Sequence, residues 1–135
     1  MAKDGITIAG AEGVYGMLFD VGDDFYVALY DGAKLDENTG GYTAIGEVSG
    51  QGYTAGGKKL STPRIQRDGN CFVWDFEDVT WNNSSLTADC GLIYNKTRGR
   101  SLCVISFPRT VSRNGVFRLI MPSPTAQEGA VRFYF

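Results

Sequence analysis

Turn-forming residues interrupt this chain at intervals of about 8 to 12 residues, and no stretch between them carries the apolar repeat of an amphipathic helix. The interruptions are Asp20 to Asp24, Asp31-Gly32, Asn38 to Gly41, Gly50 to Gly57, Asp68-Gly69-Asn70, Asn82 to Ser85, Asn95 to Gly99, Asn114-Gly115 and Pro122 to Gly129. Segments this short suit strands better than helices, and aromatic and β-branched residues fill them. The spacing therefore predicts an all-β fold, a single antiparallel β-sandwich of jelly-roll-like type spanning residues 1–135. A chain of 135 residues can bury roughly two-thirds of its unfolded surface without help from disulfides or metal.

The alternation within segments predicts which faces pack. Phe25, Val27 and Leu29 share one face, and Phe72, Trp74 and Phe76 share another with Asp75 and Glu77 opposite, which predicts sheets with one wet face. Leu86, Ala88, Cys90, Leu92 and Tyr94 are expected together on one face, as are Cys103, Ile105 and Phe107. Asn114-Gly115 supplies the residue types that a type I′ turn needs, so a hairpin is expected between residues 111–113 and 116–119. The apolar end, Ala130 to Phe135, must either complete the protein's own sheet or pair with a neighbouring subunit.

Charge and composition exclude several classes. A net charge of −2 and a sequence pI of about 5.0 lack the basic footprint of a nucleic-acid binder. The N-terminal residues have no apolar core suited to a signal peptide, and no run of about 18 uncharged apolar residues suggests a membrane span. Cys71, Cys90 and Cys103 are an odd set without CxxC spacing or any histidine, so buried free thiols are expected instead of a disulfide framework or a zinc site. The sequons that begin at Asn82, Asn83 and Asn95 read as turn chemistry.

Chemistry-bearing patterns are present but incomplete. Gly52-Tyr53-Thr54-Ala55-Gly56-Gly57-Lys58 fits the first part of a P-loop, yet Lys59 stands where a Ser or Thr would meet magnesium and Pro63 falls where the helix would run. Gly50-Gln51-Gly52-Tyr53-Thr54-Ala55 imitates a dinucleotide fingerprint without its βαβ setting. Asp20, Asp23, Asp24, Asp31, Asp36 and Glu37 could gather around calcium but lack EF-hand spacing. Asp75, Glu77, Asp78 and Asp89 could supply an acid/base pair for glycoside cleavage, and Trp81 a sugar-stacking surface, although surface charge and core packing explain them more simply. No catalytic, cofactor-binding or metal-binding residue is assigned. One internal echo remains: Gly41-Tyr42-Thr43-Ala44-Ile45-Gly46 recurs as Gly52-Tyr53-Thr54-Ala55-Gly56-Gly57, read as two β segments that use the same packing face.

The run Glu47-Val48-Ser49-Gly50-Gln51-Gly52-Tyr53-Thr54-Ala55-Gly56-Gly57-Lys58-Lys59-Leu60 resembles a motif of small structural proteins from tailed-bacteriophage virions. Val27 to Tyr30, Asp78 to Trp81, Leu86 to Ala88, Leu92 to Asn95, Val104 to Phe107 and Gly115 to Leu119 resemble further strands of that family in the same order. Cys90, where the family has a small residue, and the Pro122-Ser123-Pro124 tail depart from it. The resemblance implies a virion component with no catalytic residues, present in many copies or as a homo-oligomer, with neither nucleic acid nor membrane as partner. Its leading form is a capsid decoration or cement protein that binds the major capsid protein on the capsid exterior, after a stay in the host cytoplasm before assembly. The alternatives are a tail, adaptor or fibre-associated protein and a carbohydrate-binding tail module.

Overall fold

The computed structural model describes residues 2, 4–8, 22–69, 71–122 and 131–134, with the backbone alone at 65–68, 72 and 131–134. Within them run ten strands: β1 (Gly5–Ile6), β2 (Phe25–Tyr30), β3 (Lys58–Lys59), β4 (Arg64–Asp68), β5 (Cys71–Asp75), β6 (Val79–Ser84), β7 (Thr87–Asn95), β8 (Arg100–Val111), β9 (Gly115–Leu119) and β10 (Val131–Tyr134). They form a five-stranded sheet ordered β1-β8-β7-β2-β3, a three-stranded sheet β10-β5-β4 and a two-stranded ribbon β6-β9. Every pairing among these strands is antiparallel. The C-terminal strand β10 completes the protein's own sheet by pairing with β5. The sequence-predicted turn over 123–129, together with Asp20, Asn70, Ala130 and Phe135, lies outside the described residues.

The main core lies between one face of the five-stranded sheet and the two smaller sheets. Phe25, Val27 and Leu29 of β2 pack there with Trp74 of β5, Val79 and Trp81 of β6, and Phe117 and Leu119 of β9. The ring of Phe25 meets Trp74 edge-on with centroids 6.0 Å apart, and Trp81 meets Phe117 in the same way at 6.1 Å. Such edge-to-face contacts place the positive ring edge against the negative ring face.

The expectation of one wet face fails for the central sheet. Ala28 and Tyr30 of β2, Cys90, Leu92 and Tyr94 of β7 and Val104 of β8 form a second core on its opposite side, with Leu35 and Ala33 packed over them. A polar-looking segment does the covering: residues 31–46 cross this face, with Tyr30 Oη donating to the Thr43 carbonyl at 2.6 Å and Ser101 N donating to the Gly40 carbonyl at 3.0 Å. A loop that brings its own apolar residues and satisfies its backbone on the sheet can bury a face that no second sheet covers.

Two further expectations are corrected. The pairing of β7 with β8 shifts between Ala88 and Cys90. There Asp89 of β7 stands against three residues of β8, 107–109, and the alternation does not carry through the irregularity, so Leu86 and Ala88 face the main core while Cys90, Leu92 and Tyr94 face the second one. The second correction is at Asn114-Gly115, which makes no hairpin. Asn114 does adopt a positive φ of 49°, but Gly115 is not among the positive-φ residues, and β9 pairs with β6 instead of β8. The reason is Ser112. Its backbone exchanges hydrogen bonds with Leu86, and its buried hydroxyl lies 3.0 Å from both the Leu86 amide and the Ser84 hydroxyl. These bonds hold the chain on β7 until it has turned towards the other layer.

Candidate functional site

The glycine-rich run folds into two successive turns beside the edge of β2. Tyr53 N donates to the Gly50 carbonyl at 3.3 Å and Gly57 N to the Thr54 carbonyl at 2.9 Å, after which β3 joins β2. At Gly57 the φ is +85° and a Cβ would stand 1.8 Å from the Val27 carbonyl oxygen, so this glycine lets the turn lie directly on the strand. Gly50, where a Cβ would come 2.5 Å from the Ser85 carbonyl oxygen, allows the same approach to the β6–β7 connection.

Glu47 organises this element. Its Oε1 accepts from the Tyr42 hydroxyl, and its Oε2 accepts from the Tyr53 hydroxyl at 2.5 Å and from the Gly56 amide at 2.8 Å. The Tyr53 oxygen in turn accepts from the Leu29 amide of β2 at 3.1 Å, so a side chain caps a strand edge where a further strand would otherwise pair. Tyr94 Oη donates to the Gly56 carbonyl at 2.5 Å. The echoed tyrosines thus meet at a single carboxylate, one on each oxygen. Sequence reasoning placed both in packing roles and missed this. The signal was a lone acid flanked by two Gly-Tyr-Thr-Ala copies with no cation nearby.

The groups a phosphate cradle would need are already engaged. The amides of Tyr53, Gly56 and Gly57 bond within the loop. The Lys58 ammonium bonds the Thr80 carbonyl and lies 5.8 Å from the centre of the Trp81 ring, while Lys59 pairs with Asp24. Burial pushes the Tyr53 and Tyr30 hydroxyls well above the ordinary phenol range and Tyr94 up to about 12. Those groups are neutral hydrogen-bond donors at physiological pH.

The acidic residues of the first third do not converge. Asp23 holds Arg98 at 2.5 Å and Asn95 at 2.8 Å, Asp31 holds Arg109 at 2.9 Å, and Asp36 accepts from the Asn38 amide within its own turn. Among the described residues no group of three or more Cys, Asp or Glu is placed to hold a metal ion. Asn95 is a turn residue: its Oδ1 accepts from Arg98 N at 3.0 Å.

Asp75, Glu77 and Asp78 do come together, along a cleft of about 500 Å³ between the two smaller sheets, and Asp89 lies apart from them. Arg64 at 3.2 Å holds Glu77, and Arg118 at 3.1 Å and the Met121 amide at 2.7 Å hold Asp78. Burial raises the Asp75 carboxyl, with Arg64 opposing the shift and Asp78 adding to it. Trp81 is 3% exposed, which removes it as a sugar-stacking platform and makes it a core residue. Cys71, Cys90 and Cys103 are all buried.

No protein-family model matches the chain, and comparison with curated proteins and with solved structures gives no match either.

Proposed function

We propose that this protein is a structural component of a tailed-bacteriophage virion, a jelly-roll-like capsid decoration or cement protein that binds the outside of the major capsid protein shell. The observation that carries the reading is the run from Glu47 to Leu60, which resembles the family's motif. Its distinctive residues here perform architectural work: Glu47 collects three donors, Tyr53 caps β2, and Gly57 lies against the Val27 carbonyl. A sheet covered on both faces is stiff, and stiffness suits a clamp, because little conformational freedom is lost when it docks. Val116 and Ile120, 61% and 67% exposed on one side of β9 and its continuation, and Val111, 51% exposed at the end of β8, offer apolar contact positions. Individually weak contacts become effective when many copies bind a repeating lattice.

Quantitative mass spectrometry on separated heads and tails tests the proposal. Hundreds of copies confined to heads fit decoration, whereas roughly six, twelve or a few dozen copies in tails fit a closed ring or attachment module and would sink the cement reading.

A further inference from the structure

The outer edge of a sheet offers a row of unpaired N–H and C=O groups to any other strand. On β2, β6 and β8 such groups are taken up by side chains and loops. The Tyr53 hydroxyl accepts from the Leu29 amide of β2, the Lys58 ammonium donates to the Thr80 carbonyl of β6, and Ser85 N, just past β6, donates to the Gln51 carbonyl. Beyond its two pairs with β1, β8 has its Ser106 amide capped by Asp4 and its Pro108 carbonyl taken by the Thr110 hydroxyl at 2.7 Å. Pro108 itself has no N–H to offer.

Among the described residues β9 carries no such closure. It pairs with β6 on one side, and Met121 N, just beyond the strand, donates to Asp78 on that same side at 2.7 Å. Backbone groups alternate in direction along a strand, so the N–H groups of Val116, Arg118 and Ile120 point the other way. Among the described residues none of these three meets an acceptor. Their side chains are all exposed, two apolar ones flanking an arginine whose charge Asp78 balances at 3.1 Å.

This stretch is complementary to itself. Laid antiparallel against a second copy with Arg118 opposite Arg118, it sets Val116 across from Ile120 at both ends and brings the outward N–H and C=O groups into hydrogen-bonded pairs. Like charges oppose each other at the centre alone, and there each guanidinium brings its own carboxylate. Sliding the register one hydrogen-bonding step in either direction sets Arg118 against Val116 or Ile120 and loses both apolar pairs.

We propose that β9 is a self-association edge: two copies of this chain pair β9 with β9 antiparallel about Arg118, and two β6-β9 ribbons become one continuous sheet. The contact is isologous, with the same strand on both sides of a two-fold axis. The inference stands on the sheet edges and does not depend on the virion reading. Val116 and Ile120 keep their place on the outer face of the joined sheet, so pairing doubles the apolar surface there and does not consume it. A pairing this short buries less than the roughly 800 Å² per partner of a stable complex. The dimer is therefore weak, and suited to chains held at high local concentration.

Analytical ultracentrifugation of the full chain between about 10 µM and about 1 mM tests this, with an expected Kd on the order of 0.1 mM. Hydrogen exchange at the Arg118 amide is expected to slow about fivefold at the upper end of that range, while the Phe117 amide, turned towards β6, is unchanged. Val116→Lys, an exposed position that counts twice across the axis, is expected to weaken association about tenfold. A nitroxide attached through Arg118→Cys reads which surfaces meet, because the two labels come side by side when β9 pairs with β9 about that residue. Strong dipolar coupling is expected wherever the dimer forms. A chain that stays monomeric at the top of the range, an association that Val116→Lys leaves unchanged, or a dimer without coupled labels overturns the proposal.

Discussion

Gly57 shows how much one missing side chain can decide. Its positive φ and the Val27 carbonyl 1.8 Å from where a Cβ would stand combine two penalties, strain and overlap with backbone that cannot swing aside. Gly57→Ala is expected to cost roughly 3 kcal/mol or more, whereas Gly99→Ala, which has positive φ but open space around it, is expected to cost about 1 kcal/mol. Urea titration of both variants checks the contrast. The thiols make a second residue-scale prediction. Burial pushes Cys90 and Cys103 up to about 12, against 9 for a free thiol. A group raised in the folded state contributes stability below its unfolded value and loses it as pH climbs towards its folded one. Stability is therefore expected to decline as pH rises from about 9 towards about 12, with the buried tyrosines adding to the slope. Alkylation at about pH 8 is expected to label neither Cys90 nor Cys103 until denaturant is added.

At the scale of elements, the path from β8 to β9 depends on a serine. The Ser112 hydroxyl accepts from the Leu86 amide and meets Ser84 in a buried position, and removing it leaves that amide with the Ser112 carbonyl as its one acceptor. Ser112→Ala is expected to lower stability by about 0.5 to 1.5 kcal/mol and to raise hydrogen exchange at Leu86, which NMR can read. The same element shows where local reading stops. Asn114 has the left-handed backbone that Asn-Gly favours, yet the partner of the strand that follows is chosen by distant contacts. In β7 the period of two was legible, but the bulge before Cys90 inverted its second half. A bulge leaves no mark in the hydrophobic pattern, because both halves still alternate.

At the scale of the whole molecule, most ion pairs among the described residues lie on the surface and join neighbouring loops and edges, and Asp23, 10% exposed, holds Arg98 in the one enclosed pair among them. Lys59–Asp24 and Arg64–Glu77 are more than half exposed on both sides, and Arg109 and Arg118 are similarly open. Exposed pairs contribute little and are screened by salt. A thermal melt in about 1 M sodium chloride is therefore expected to shift by no more than a few degrees. A drop much larger than this would mean that charge, and not the two cores, holds the sheets together.

The strand-rich pattern, the buried cysteines and the inward residues of β2, Phe25, Val27 and Leu29, follow from composition and alternation, because a period-two signal survives whatever the strand pairs with. The sequence also marks the stretch from Glu47 to Leu60 as unusual, and its mismatches with phosphate loops are visible at Lys59 and Pro63. Folding decided the rest through contacts between residues far apart in the chain. A glycine-rich loop became a strand-edge cap because Tyr53 reaches Leu29, 24 positions away. The supposed wet face was covered because residues 31–46 fold across it. Glu47 became a shared acceptor because two turns bring Tyr42 and Tyr53 to opposite oxygens of one carboxylate, a convergence that linear spacing does not encode.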